Sequence, residues 1–170
     1  MKPPKTIQEV QRLIGRLAAL NRFISRSSDR GLPFFKVLKK IEKFQLTPQC
    51  QEAFEKLKEY LASHPLLTKP KDEETLYLYL ATSRGAISAV LTREEGRDHL
   101  PVYYVSKTLQ GAEEKYPSIE KLAFALVVTA RRLRPYFQSH PIVVLTNHPL
   151  KKVLAEPNIS GRMVKWAVAQ

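Results

Sequence analysis

The 170 residues of this chain are enough for one ordinary domain or two small ones, and 44% hydrophobic with 26% charged residues is a globular composition. No apolar run approaches the roughly 18–20 residues that a membrane span requires, and the first residues lack the pattern of a signal peptide. Cys50 is the single cysteine, which excludes an internal disulfide, and the four histidines lack the spacing of a zinc site.

The net charge of +12 is concentrated near the beginning of the chain. Residues 1–43 contain eleven Lys or Arg against three Asp or Glu, a local net charge of +8. Such a concentration suits a nucleic-acid backbone, because each neutralised phosphate releases counterions. A solvated basic surface without a partner would explain the same charge. The predicted contacts to nucleic acid are Arg12, Arg16, Arg22, Arg26, Lys36, Lys39 and Lys40.

The first 68 residues have the pattern of a small helical unit. Thr6 and Glu9 have the spacing of a capping box, and apolar residues follow at helical intervals. Residues 31–33, Gly-Leu-Pro, predict a break before a short helix over 34–40. Thr47-Pro48 predicts a third helix, with Thr47 as its N-cap, which ends at His64-Pro65.

The pattern changes to strands after a predicted linker at residues 69–75. Apolar runs bounded by turn residues predict strands over 76–81, 86–92, 101–107 and 142–146. A long helical pattern over 116–137 is stopped near Pro135, and two short helices follow the last strand. A meander of three strands, a helix and a strand that returns beside the first predicts an α/β (α+β) fold with a mixed sheet.

Several motifs occur in one order along nearly the whole chain. They lie at residues 4–24, 46–58, 86–91, 101–109, 116–121, 134–136 and 145–150. The first two resemble the thumb-side helices of the reverse transcriptases of Gypsy-type long-terminal-repeat (LTR) retrotransposons. The others resemble the strands and main helix of the RNase H domain in the same polyproteins. Residues 161–166 are most similar to plant elements that carry a second RNase H module downstream.

This resemblance implies a division of the chain into three parts. Residues 1–68 would be the helical thumb/connection segment of the reverse transcriptase, 69–75 a linker and 76–170 an RNase H-like domain. The family's last strand would lie beyond Gln170, so the predicted mixed sheet is truncated. The paired aspartates of the polymerase would lie upstream of Met1, so we expect no polymerisation by this chain alone.

The resemblance also implies where catalytic acids should lie. An intact family member is expected to hold Mg²⁺ with acids on the first strand, the main helix and the fourth strand. Ala81, Leu122 and Asn147 occupy those positions here, and none is a carboxylate. Glu120 lies two residues from the required helix position, which turns it by about 200°, and we interpret it as a solvated charge at the helix start. We therefore predict no catalytic residue, no metal ligand and no cofactor.

Three functions are compatible with these observations. The first is a noncatalytic connection or tether segment that helps a retrotransposon reverse transcriptase to hold its primer–template duplex or RNA–DNA hybrid. The second is an active RNase H that cuts the RNA of such hybrids. The third is a degenerate retroelement fragment without a nucleic-acid role. The resemblance further implies contacts with the other polymerase and nuclease domains of the polyprotein, no membrane partner, and a location in cytoplasmic virus-like particles or the nucleus.

Overall fold

The computed structural model describes residues 2–39, 47–63 and 66–155, apart from the side chains of Lys152 and Val153. The predicted contact Lys40, the residue pair 64–65 and the second of the two short helices expected at the end lie outside these ranges. Within them, the helices are α1 Ile7–Ala19, α2 Ser27–Lys39, α3 Pro48–Ser63, α4 Ser118–Arg132, α5 Arg134–Ser139 and α6 Leu150–Ala155. The strands are β1 Leu76–Thr82, β2 Ala86–Glu95, β3 Asp98–Thr108 and β4 Ile142–Leu145.

The start of α1 follows the predicted capping pattern. The Thr6 side chain accepts a hydrogen bond from the Glu9 backbone N–H at 3.2 Å. The Glu9 carboxylate reaches one residue further back than in a capping box and accepts from the Lys5 N–H at 2.6 Å. Val10 and Leu17 are buried below this start, whereas Ile7 is partly exposed. The Thr47 side chain caps α3 in the same way, by accepting from the Cys50 N–H at 3.2 Å.

The predicted break at Gly31-Leu32-Pro33 is wrong. One helix, α2, runs from Ser27 to Lys39 with Pro33 inside it. An interior proline costs about 3 kcal/mol or more, because it removes a hydrogen bond and crowds the preceding turn. Phe34 and Val37, which follow the proline, are buried in a core formed by α1, α2 and α3. Burial of two such side chains contributes ~3–6 kcal/mol, which is enough to keep the helix continuous.

The four strands form one mixed sheet in the order β3-β2-β1-β4. β1 pairs antiparallel with β2 and parallel with β4, and β2 pairs antiparallel with β3. This arrangement confirms the predicted α/β fold with a returning fourth strand. The predicted helix over 116–137 is divided into α4 and α5 at Leu133, because Pro135 cannot continue the hydrogen-bond ladder of α4.

The two faces of the sheet contact different helices. Leu76 and Leu78 of β1 are fully buried in a core with Leu133, near the end of α4. On the other face, Ser106 of β3 accepts a hydrogen bond from the Ser28 N–H of α2 at 3.0 Å. Within the described ranges, no helix is both long enough and apolar enough to cross a membrane.

The predicted linker is fastened to the sheet by an ion pair. Glu74 accepts a hydrogen bond from the Arg93 guanidinium of β2 at 2.9 Å, and the Arg93 side chain is only 7% exposed. The Lys71 N–H donates to the same carboxylate at 2.7 Å. Burial raises the pKa of Glu74, but these donated hydrogen bonds and the Arg93 charge outweigh it, so that its pKa lies below its ordinary value of 4.5.

This ion pair predicts a pH-dependent contribution to stability. Because the pKa of Glu74 is lower in the folded state, its contribution is complete above pH 4.5 and is lost as the pH falls through the folded value. We therefore expect Glu74→Gln to lower the melting temperature at neutral pH, and the difference from wild type to vanish in acid. The matched control is Glu52→Gln, because its exposed pair with Lys56 contributes little. Equal effects of both substitutions at every pH would contradict this role.

Candidate nucleic-acid interface

Two of the predicted phosphate contacts lie one turn apart on α1. Arg12 and Arg16 are both exposed, whereas Val10, Leu13 and Leu17 of the same helix are buried. Both arginines line one shallow recess, which Lys2 and Glu9 also border. The structure thus brings Arg12 and Arg16 together on the solvent side of α1, where their guanidinium groups can reach the phosphates of a backbone.

Arg22 lies where the helical unit meets the sheet. It belongs to a short 3₁₀ turn, Asn21–Phe23, and its guanidinium lies 5.0 Å from the Phe23 ring centre and 4.9 Å from that of Tyr103 on β3. Stacking on aromatic faces orients the guanidinium plane and leaves its N–H edge able to donate to phosphate.

The other predicted contacts differ in their surroundings. Arg26 has a left-handed backbone, φ 52°, and its guanidinium donates to the Asp29 carboxylate at 3.1 Å, which offsets part of its charge. Asp29 also accepts from the Ser83 hydroxyl at 2.5 Å, so this pair connects α2 to the turn between β1 and β2. Lys36 and Lys39 are exposed in the last turn of α2 and show no ion pair within the described ranges.

The three positions of the family's acids have three different environments. Ala81 is exposed near the end of β1 and pairs with Ser88 of β2. Asn147 is exposed in the bend after β4. Leu122 of α4 is only 4% exposed and packs in an apolar cluster with Leu80 of β1 and Leu150 of α6. The helix position that a metal-binding acid would occupy is therefore part of the hydrophobic core.

These residues do not fit a magnesium site. A methyl group and an isobutyl group cannot ligate a hard cation, and a neutral amide supplies no charged oxygen. In residues 2–39, 47–63 and 66–155, no three His, Cys, Asp or Glu side chains lie together as metal ligands would. No mechanistic step through a metal ion is derived for this chain.

The interpretation of Glu120 as a solvated charge is wrong. Glu120 is in the first turn of α4, as predicted, but it is only 8% exposed. Its neighbour Lys121 is also buried and donates to the carbonyls of Ser83 and Arg84 at 3.4 and 3.2 Å. The start of α4 is therefore covered by the turn between β1 and β2, a contact that the sequence pattern of the helix alone could not reveal.

An aromatic cluster on the sheet was not singled out from the sequence. Tyr77 and Tyr79 alternate with buried leucines along β1, and both rings contact His99 of β3, with ring centres 4.8 and 5.7 Å apart. The available signal was this alternation of Leu with Tyr, because successive strand residues point to opposite faces. The partner His99 lies more than twenty residues away and has no comparable signal.

The comparison with protein families decides the identity of the fold. The family model of the RNase H-like domain found in reverse transcriptase matches residues 46–144, which is more than half of the chain. The chain belongs to this family. Its relatives are retrotransposon polyproteins, which confirms the resemblance found in the sequence.

Two of these relatives are polyproteins from an insect and a yeast. The Pol polyprotein of transposon opus from Drosophila melanogaster is 29% identical over 180 residues, covering 98% of this chain and 18% of the polyprotein. The Tf2-3 polyprotein of Schizosaccharomyces pombe is 29% identical over 150 residues, covering 86% of this chain and 11% of the polyprotein. This RNase H-like chain thus spans less than a fifth of the length of these relatives.

Solved structures support the same fold. The foamy viral protease–reverse transcriptase in complex with an RNA/DNA hybrid has a TM-score of 0.76 at 18% identity, covering 99% of this chain and 24% of the viral one. A second structure of the viral protein, in complex with double-stranded DNA, has a TM-score of 0.75 and covers 31% of the viral chain. At this identity the likeness concerns the fold.

The buried position of Leu122 predicts a cost for restoring the missing helix acid. We expect Leu122→Glu to destabilise the protein by roughly 2–5 kcal/mol, because the leucine site is emptied and a carboxylate loses its hydration. Chemical denaturation measures the change. Leu122→Met is the matched control, since it keeps the volume and should cost less than about 1.5 kcal/mol. A Leu122→Glu protein as stable as wild type would show that this position is not part of the core.

Proposed function

We propose that this chain is the noncatalytic thumb and connection segment of a Gypsy-type retrotransposon reverse transcriptase. Its role is to hold a primer–template duplex or RNA–DNA hybrid for the polymerase and nuclease domains of the same polyprotein. It requires no cofactor, and it acts where the polyprotein acts, in cytoplasmic virus-like particles or in the nucleus. The observation that carries this proposal is the burial of Leu122 in an apolar cluster at the position of the family's helix acid.

This observation favours loss of catalysis over a displaced metal site. A leucine that packs with Leu80 and Leu150 contributes to folding, so the position serves the core instead of the chemistry. Ala81 and Asn147 supply no carboxylate that could compensate. The fold is thereby retained for a different use, and two-metal hydrolysis of RNA has no ligand set among these three positions.

The basic surface of the helical unit supports the duplex-holding role. Arg12, Arg16 and Arg22 are exposed, and the first is placed beside the second on one side of α1. Contacts of this kind position a nucleic acid through its phosphates and carry no sequence information. The foamy viral protein of the same fold forms complexes with double-stranded DNA and with an RNA/DNA hybrid, which makes these ligands the first candidates for this chain.

The noncatalytic role predicts that the purified chain does not cut the RNA of an RNA–DNA hybrid in Mg²⁺ or Mn²⁺. The reason is the absence of carboxylates at positions 81, 122 and 147. Gel analysis of an end-labelled hybrid measures cleavage, with a catalytically intact RNase H as the positive control. Metal-dependent cleavage that is lost in Glu120→Gln would identify the nearby acid as functional and would overturn the proposal.

The phosphate-binding role predicts weak, sequence-independent duplex binding that falls steeply with salt. Replacing Arg12, Arg16 and Arg22 by Gln should flatten the dependence of log K on log salt by about 0.9 for each lost contact on duplex DNA. Fluorescence anisotropy over a salt series measures this slope.

The control for this experiment removes the same amount of charge from other exposed sites. Lys71, Arg97 and Lys115 are exposed and lie outside the predicted contact surface, so their replacement by Gln should leave the slope nearly unchanged. A slope that does not respond to the first triple substitution, or responds equally to both, would rule out the proposed role of the helical unit.

A further inference from the structure

A small recess opens between the sheet and the segment that precedes α2. We name it the tyrosine recess, and its volume is about 200 Å³. Tyr79 of β1 and Tyr104 of β3 line it, together with Ala81, one of the positions where the family's acids are missing. The other lining residues are Ser25, Arg26, Leu80, Ser88, Ala89 and Val90.

The strand register explains the shape of the tyrosine recess. Val90 of β2 pairs with Tyr79 on one side and with Tyr104 on the other. Adjacent strands are about 4.8 Å apart, so the two tyrosines are separated by two strand spacings, ~10 Å. In the next row, Ala81 pairs with Ser88, and both side chains are small. The recess therefore has aromatic walls and a floor of small residues.

Tyr79 is held in place while its ring remains accessible. The Tyr79 hydroxyl is 3.0 Å from Nδ1 of His99, and the Thr92 hydroxyl is 3.3 Å from the same nitrogen. The His99 ring also contacts Tyr77, which limits its movement. The Tyr79 residue is nevertheless 38% exposed. An aromatic ring that is fixed before binding loses little conformational entropy when a planar ligand stacks on it.

The other wall and the rim are also held by hydrogen bonds. Burial, and then the neighbouring Tyr60, raise the pKa of Tyr104 above 10.0, so its phenol is neutral at physiological pH. The Ser25 N–H donates to the Tyr60 hydroxyl at 2.8 Å, which fixes the rim of the recess beside Arg26. The recess thus combines neutral aromatic walls with a cation at its rim.

We propose that the tyrosine recess binds one unpaired base of a single-stranded nucleic acid, stacked on Tyr79. An unpaired base presents its face to an aromatic ring, whereas a base inside a duplex is already stacked on its neighbours. The alanine at position 81 matters here, because a carboxylate at that place would repel the phosphates beside the base.

Charge favours a strand over a free nucleotide as the occupant. Arg26 is the cation that lines the recess, and its charge is shared with Asp29 at 3.1 Å. A single nucleotide would therefore gain little from it. A strand carries phosphates on both sides of the stacked base, and these can reach the exposed cations of a chain with a net charge of +12.

The test uses the whole chain and a single-stranded DNA of about 15 nucleotides, within the range of known single-strand sites, with one central 2-aminopurine. Stacking on an aromatic ring should quench the fluorescence of this base analogue in a saturable titration. We expect Tyr79→Leu to weaken binding about fivefold or more, because one stacked base contributes roughly a 5- to 150-fold change in affinity. Tyr79→Phe should retain the affinity and the quenching, because it keeps the ring and loses only the hydroxyl that meets His99.

Two controls separate the recess from other contacts. Phe35→Leu removes an exposed aromatic ring of α2 outside the recess and should leave the titration unchanged. Ala81→Asp should weaken single-strand binding without altering the ring. The melting temperature of each variant shows that it is folded.

The outcome is also separable from that of the duplex-holding proposal. Tyr79→Leu should leave duplex binding and its salt slope as in wild type, and a failure of duplex binding would not affect the single-strand titration. Equal single-strand affinities for wild type and Tyr79→Leu would overturn the inference. Equal losses of single-strand and duplex binding in Tyr79→Leu would also overturn it, because this face would then contact duplexes.

Discussion

The alternation of side chains along β1 is the constraint on which the rest of the structure depends. β1 lies between β2 and β4, and its buried leucines form the core with α4 and α5. Its tyrosines point to the other face, where they contact β3 and border the segment before α2. A shift of one residue in the register of β1 would exchange these two sets, placing phenols in the core and leucines in water. The core and the tyrosine recess are thus fixed by the same register.

The loss of acids from an RNase H-like fold has a direct electrostatic consequence. Carboxylates that lie close together repel one another unless a cation neutralises them, so an intact site reduces the stability of its own fold in the absence of metal. Here Leu122 contributes apolar contacts to a cluster with Leu80 and Leu150. The substitution converts a position that requires a metal into one that supports the core by itself. This is consistent with a domain whose proposed role is to bind and to hold.

The elements with strong local patterns could be predicted from the sequence. The caps of α1 and α3, the four strands and the return of β4 beside β1 follow from spacing, propensity and turn residues. The continuity of α2 through Pro33 could not be predicted, because it depends on the burial of Phe34 among residues of other helices. The burial of Glu120 was missed for the same reason, since the turn that covers it is more than thirty residues away. The candidate arginines could be named individually, but the pairing of Arg26 with Asp29 and Ser83 required the tertiary structure.

The contacts between the helical unit and the sheet join residues that are far apart in the sequence. Ser28 bonds to Ser106 across 78 residues, and Asp29 bonds to Ser83 across 54. Contacts of this separation form late in folding, because the intervening loop must be closed first. At a synthesis rate of ~5–20 residues per second, Ser28 waits about 4–16 s on the ribosome before its partner on β3 is made. During this interval the apolar faces of α1 and α2 have only each other to cover them, so the order of synthesis exposes the basic helices before the sheet that positions them exists.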